Sequence, residues 1–381
     1  MKKVISGSKR RAGPVLLAAL AALAILASIA AASGEGARVL LAFRHIHGYW
    51  LLPAIACQGA VYVCVGGIIA AGLSGAPRKP APPYLLYAAF AFLFANRALP
   101  GPAIAGLAVL TWLLGRRGIA ASAAHAAAAV FYLADYVSFF ILGAVSLYAL
   151  APRLPLPILR LVEVAGSLVL LGLIAAAVFT ITLRKTGGME RATESEDSLS
   201  GTETGEPAPS AGSDAKAERR PPFSGPRGHW ERWTLRPAVS TSISRMRDAW
   251  TGFMEQWRQV AAGPGPIGAA CAMGLAMHCF EAMTIMCAAR AFGSPIGFTA
   301  AAAAYVTANL AAIVSFLPGG AGFFEGAMIA TLCYGAKTSI AAAVATAALY
   351  RLLSIWLPAP SLAGLVSRAP GLTAEIDDAH R

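Results

Sequence analysis

Residues 309–326 read NLAAIVSFLPGGAGFFEG, with four glycines and a proline around one carboxylate, Glu325, inside an apolar run from Phe298 to Ala336. Proline removes a backbone donor and glycine admits turns that other residues resist, so no regular helix passes straight through Leu317, Pro318, Gly319 and Gly320. The amides of such a turn, and the positive end of a helix restarting at Gly322, suit an anion. Glu325 is then either a pairing partner or a proton carrier. A plainer copy stands upstream. Tyr84–Ala95 and Pro102–Leu114, twelve and thirteen residues, are joined through Asn96-Arg97-Ala98-Leu99-Pro100-Gly101. At about 1.5 Å per residue neither arm crosses a hydrocarbon core of about 30 Å. A re-entrant pair is expected in each place; the alternative at the first is two short spans with a surface turn, and at the second a full span over Phe298–Phe316, which is nineteen residues long. Irregular backbone at membrane depth survives only where protein or a watery cavity satisfies it, so such breaks point to a site.

The rest of the sequence agrees with a membrane setting. Of 381 residues, 57% are apolar and 13% charged, against about 25% charged in soluble domains, which excludes a soluble enzyme and a disordered chain. The net charge of +12 comes from basic clusters that flank apolar runs, the pattern of membrane orientation and not of nucleic-acid binding. Six cysteines without a CxxC pair read as small core residues. With His45 and His47 too sparse for a metal site and no HExxH or GxSxG motif, neither a cofactor nor enzymatic chemistry is expected.

Full spans are expected at Pro14–Ala32, Trp50–Leu73, His125–Leu150, Ile158–Leu183, Ile267–Ala291 and Ser339–Leu357. The first fits either a signal peptide or a retained helix, and its length favours the helix. The N-terminus, Arg78/Lys79, Arg116/Arg117 and Arg184/Lys185 fall on one face by parity, which makes that face and both termini cytoplasmic in a cell inner membrane. The expected architecture is an all-α polytopic membrane protein, about six full spans plus two Pro/Gly-interrupted pairs, in two inverted-repeat halves. Its segments are an N-terminal helix and outer loop (1–49), a first half (50–185), a cytoplasmic insert (186–265), a second half (266–364) and a tail (365–381). In each half a tyrosine follows the motif proline by thirty-two residues: Pro100 to Tyr132, and Pro318 to Tyr350.

Ionisable groups at depth mark the same region, because each costs about 2.5–3.5 kcal/mol at a helix centre. Asp135 and Arg351 lie near mid-span, one in each half. They either pair with each other as a packing lock, or Arg351 grips a lipid phosphate while acids cycle protons. His278 and Glu281 share a helix face, three residues apart. The insert opens as a polar, acidic stretch expected to be a linker and ends in Arg245, Arg247, Trp250, Phe253 and Trp257 at helical spacing. That face suits an interfacial helix on anionic headgroups, with docking on the bundle as the alternative.

With these residues set out, the chain resembles the membrane domain of the lysylphosphatidylglycerol synthase/flippase family, the multiple peptide resistance factor type, and its stand-alone relatives. Pro318-Gly319-Gly320-Ala321-Gly322-Phe323-Phe324-Glu325-Gly326 looks like that family's PGG-x-G-x-x-E-G signature, and Tyr350-Arg351-Leu352 like its arginine-bearing last helix. Asn96 through Leu99-Pro100-Gly101 is similar to the first-half motif, and Asp135 falls where the family carries an acid. The chain departs at Pro102–Ala105, where Arg and Gly-Glu are usual, and at Leu133, where an Arg is. The resemblance implies movement of an anionic or otherwise polar-headed lipid between leaflets, with Asn96, Pro100, Gly101, Asp135, Asn309, Pro318, Gly319, Gly320, Gly322, Glu325 and Arg351 as its site. Only residues 363–381 follow Leu362, so the aminoacyl-transfer domain of the synthases is not expected here. The alternative is a non-catalytic scaffold for a lipid-modifying or glycosyl-transferring enzyme.

Overall fold

The computed structural model describes residues 36–98, 102–156, 236–315 and 317–356. The expected first span, the Ile158–Leu183 span, Pro100, Gly101, the acidic linker and the tail lie outside the described residues. All regular structure among the described residues is helical: α1 (Gly36–Arg44), α2 (Leu51–Gly72), α3 (Pro82–Ala98), α4 (Pro102–Gly115), α5 (Ala121–Leu150), α6 (Arg236–Ala261), α7 (Pro264–Ala291), α8 (Phe298–Val314), α9 (Phe323–Ala336) and α10 (Ile340–Arg351), which continues as a π-helical segment, Leu352–Trp356. Segments Gly48–Gly72, Ala121–Arg153 and Gly265–Ala291 are each long and apolar enough to cross a membrane. The chain divides into a bundle of Met1–Gly166 with Asp248–Arg381 and a smaller unit, Ser167–Arg247, of which only helical residues 236–247 are described.

Within the bundle α2, α5 and α7 pack closely, because small residues stand where they meet. A Cβ added at Gly72 would lie 2.5 Å from the Ala127 Cα, and one at Gly274 would lie 2.8 Å from the Ala134 carbonyl oxygen. Lipid offers no hydrophobic drive for helix association, so close backbone approach and van der Waals packing must supply it. Gly72→Val is therefore expected to destabilise the bundle by about 1–3 kcal/mol, the usual range for overpacking, read as a lower midpoint of thermal unfolding in detergent.

Two apolar cores flank this trio. One gathers Val65, Phe92, Leu114 and Ala127 from α2 to α5. The other gathers Ile285, Tyr305, Met328 and Val344 from α7 to α10.

Each core holds a helical hairpin. The open ends of α3 and α4 are together, since the Tyr84 hydroxyl donates to the Leu113 carbonyl at 2.6 Å and the Arg117 guanidinium lies 4.1 Å from the Tyr84 ring centroid. The start of α8 and the end of α9 likewise line one cavity. The amide of His47, just before α2, donates to the carbonyl of Ala291 at the end of α7 at 2.8 Å, so α2 and α7 run antiparallel. Because α3 follows the end of α2 and α8 follows the end of α7, the hairpins enter the bundle from opposite ends.

Two boundaries differ from the sequence expectation. Asn96 and Arg97, read as part of the joint, belong to the last turn of α3. The last helix leaves α geometry right after Arg351. As for α6, Val260 is buried and Trp257 packs on the first core, while Trp250 is 41% exposed with its ring 5.6 Å from that of Phe253. Docking, the alternative to a purely interfacial helix, thus holds for its C-terminal end. Arg245 and Arg247 lie earlier on the same helix.

Candidate functional site

The last turn of α3 meets the turn between α8 and α9. Pro318–Gly320 forms one turn of 3-10 helix with Gly319 and Gly320 both at positive φ, 63° and 67°. A Cβ on Gly319 would stand 2.7 Å from the carbonyl oxygen of Arg97 at the tip of α3, and one on Gly320 would stand 2.3 Å from the Ala312 Cβ. Only glycine supplies both the left-handed turn and the room.

Beyond this turn Gly322, at φ 84°, begins α9. Its amide donates to Oε2 of Glu325 at 2.7 Å, so the anion held at this helix start is the chain's own carboxylate. The other oxygen, Oε1, accepts from Nε of Arg351 at 2.6 Å. Arg351 Nη2 then donates to the Gly319 carbonyl at 2.8 Å, and the guanidinium carbon lies 3.8 Å from the Phe324 ring centroid. Tyr350 stacks on that ring, with centroids 5.8 Å apart and planes within 7°. A single arginine from α10 thereby clasps the tip of the second hairpin through a carboxylate, a carbonyl and an aromatic face. Glu325 and Arg351 are both buried.

A second ion pair lies beside the first. Arg97 reaches from the tip of α3 to Glu281 on α7 in a short, charge-assisted contact. Its Nη1 donates to the Ser354 carbonyl at 3.2 Å, within the π-helical segment that follows Arg351. The second Glu281 oxygen accepts from the Tyr350 hydroxyl at 2.8 Å, and Glu281 is completely buried. Tyr350 therefore belongs to both pairs at once, contacting Glu281 with its hydroxyl and Phe324 with its ring.

The other expected residues fall around this centre. Asp135 and Arg351 do not pair with each other. Asp135 Oδ1 lies 3.3 Å from Nε2 of His278, whose Nδ1 lies 3.0 Å from the Tyr305 hydroxyl; this joins α5, α7 and α8 in one polar link. His278 and Glu281 share a helix face as read, yet serve different partners. Asn96 is held at the first tip, where its Oδ1 accepts from the Tyr132 hydroxyl at 3.2 Å and its side chain fills the space a Cβ on Gly106 would need. Tyr132 and Tyr350, equally spaced after their prolines, each touch the tip of their own hairpin. Asn309 donates instead to the Tyr305 carbonyl of its own helix at 2.8 Å.

Arg97, Glu281 and Tyr350 are the members of the centre that the sequence reading left out of the candidate set, Glu281 having been noted only as an ionisable group at depth. Arg97 stood beside the motif as an arginine in an apolar run, which was the available signal. Among the described residues no group of three or more His, Cys, Asp or Glu could hold a metal ion.

No curated protein matches this chain. The family described as the lysylphosphatidylglycerol synthase TM region matches residues 15–361, a stretch that includes both hairpins, the Pro318–Gly326 turn and Arg351. By that match the chain belongs to the lysylphosphatidylglycerol synthase transmembrane-region family, and is a multi-pass integral membrane protein related to lipid modification or transport.

Proposed function

We propose that the protein moves an anionic lipid between leaflets of a cell inner membrane, as a non-enzymatic flippase-like transporter built of two inverted-repeat halves. The observation that carries this reading is the meeting of two broken hairpins from opposite ends of the bundle around Arg351 and Glu325. In transporters, sites placed between broken helices of oppositely oriented repeats serve alternating access, each half opening in turn. A guanidinium accepts phosphate as readily as carboxylate, because its planar donors match either oxyanion. A lipid phosphate can thus take the place of the Glu325 carboxylate on Arg351 and at the start of α9. Since Arg351 also holds the Gly319 carbonyl, the same exchange loosens the tip that closes the centre. The cytoplasmic placement of both termini and contact of the earlier part of α6, with Arg245, Arg247 and Trp250, with anionic headgroups complete the reading.

The test is reconstitution in liposomes with head-labelled phosphatidylglycerol, phosphatidylethanolamine and phosphatidylcholine, scoring transfer between leaflets. The native chain is expected to move the anionic lipid fastest. Arg351→Ala should lower transfer to the protein-free rate, as should Arg351→Ala/Glu325→Ala, which leaves no orphan carboxylate and so separates function from folding. Native rates in the double variant would overturn the proposal.

A further inference from the structure

A pocket lies at the open end of the α8–α9 hairpin, at the opposite end from the Arg351 contacts. Its volume is about 520 Å³, within the range of small-ligand sites. It is bounded by the end of α5, the turn at Arg153, the loop before α8, the first turn of α8 and the end of α9. Arg153 and Lys337 both line it and no acid does; neither cation has an ion-pair partner among the described residues. Between them α8 begins at Gly297, which has no side chain to cap the helix, so the free amides of the first turn add positive potential on the pocket side at Thr299 and Ala300.

The remaining wall is apolar, with Leu150 and Ile296. Ile141, Val145 and Tyr148 form an exposed strip on α5, 50%, 66% and 87% accessible, at the i, i+4, i+7 spacing of one helix face. The strip runs toward Ala149, exposed at the pocket edge. Two unpaired cations and a helix start ask for a phosphate, and an apolar strip leading to them asks for chains attached to it.

We infer that this pocket binds the phosphodiester headgroup of an anionic lipid, with its acyl chains along the α5 strip. The inference rests on the transport reading for its role, as the station where lipid waits about 20 Å from the tip along the fourteen residues of α9. Binding itself does not depend on that reading.

The experiment is calorimetric titration of the full chain, held in phosphatidylcholine nanodiscs, with soluble dihexanoyl phosphatidylglycerol. Dihexanoyl phosphatidylcholine and inorganic phosphate serve as the other arms. The variant is Arg153→Gln/Lys337→Asn, since Lys337 has a left-handed backbone, φ 57°, that asparagine accepts. Both residues are exposed, so the fold is expected to survive. Arg290→Gln, which removes a cation stacked on Trp50 and outside the pocket, controls for general surface charge. The expected result is at least tenfold weaker phosphatidylglycerol binding in the double variant and native binding in Arg290→Gln. Equal losses in both variants, native affinity in the double variant, or inorganic phosphate binding as tightly as the lipid would each overturn the assignment. The two readings fail separately: absent leaflet transfer with intact pocket binding removes the transporter alone, while intact transfer with unaltered binding in the double variant removes the pocket alone.

Discussion

Glu281→Leu is expected to destabilise the protein by about 2–4 kcal/mol, less than the cost of stranding a fully buried charge, because Arg97, the charge left behind, is 21% exposed. Glu281 is fully buried and accepts from both Arg97 and Tyr350, so its loss leaves the Arg97 guanidinium facing an apolar wall and the tyrosine hydroxyl unpaired. The partner experiment decides what the pair is for. Replacing a buried ion pair by apolar residues of similar volume is often neutral, so Arg97→Met/Glu281→Leu should recover most of the lost stability in thermal unfolding. Lipid transfer should nevertheless stay at background, because the tip of α3 would no longer be tied electrically to α7 and the Ser354 carbonyl. A double variant that is both stable and fully active would reduce the pair to a packing device.

The second large effect is expected at Gly319. Alanine there pays about 1–2 kcal/mol for the left-handed backbone and also meets the Arg97 carbonyl at 2.7 Å, which is too close for a carbon and belongs to backbone that moves only with its helix. The two tips must separate. Leaflet transfer should fall at least tenfold, with a loss of stability of about 2–4 kcal/mol from backbone strain and overpacking together. Gly118→Ala is the matched control: its φ is 73° but an added Cβ meets nothing within 4 Å, so it carries the conformational cost without the collision. Transfer at the native rate is expected there. Equal effects of the two substitutions would mean that turn strain, and not the meeting of the tips, matters at Gly319.

Much of this organisation is legible in the sequence, for identifiable reasons. Proline and glycine act locally, so the break between α3 and α4 and the one at Pro318 show themselves without tertiary knowledge, and the length of each apolar run measures against membrane thickness. The equal spacing of Tyr132 and Tyr350 after the two prolines corresponds to one contact in each hairpin, with Asn96 and with Phe324.

The pairing of charges was not legible. Nothing in spacing says that Arg351 leaves Asp135 and folds onto Glu325, twenty-six residues before it. The extension of α3 through Asn96 and Arg97 was hidden for the same reason: the contacts that hold those side chains come from Tyr132, Glu281 and Ser354. Local propensity ends the helix at its proline; distant partners decide what its last turn does. The helix around Trp257 posed a related problem, because an aromatic face suits a headgroup layer and a neighbouring bundle equally well until Val260 and Trp257 are seen packed against the first core.

The central claim is that the two hairpin tips meet in a water-filled crevice inside the bilayer. Its most direct measurement places a single cysteine at Ala103 or Ala321 in a chain whose six native cysteines have been replaced, reconstituted in liposomes and treated with a charged, membrane-impermeant maleimide on each side in turn. Both positions are predicted to label from at least one side, and to be protected by dihexanoyl phosphatidylglycerol. Two cysteines that stay unlabelled from both sides, in protein that labels fully once denatured, would contradict the account.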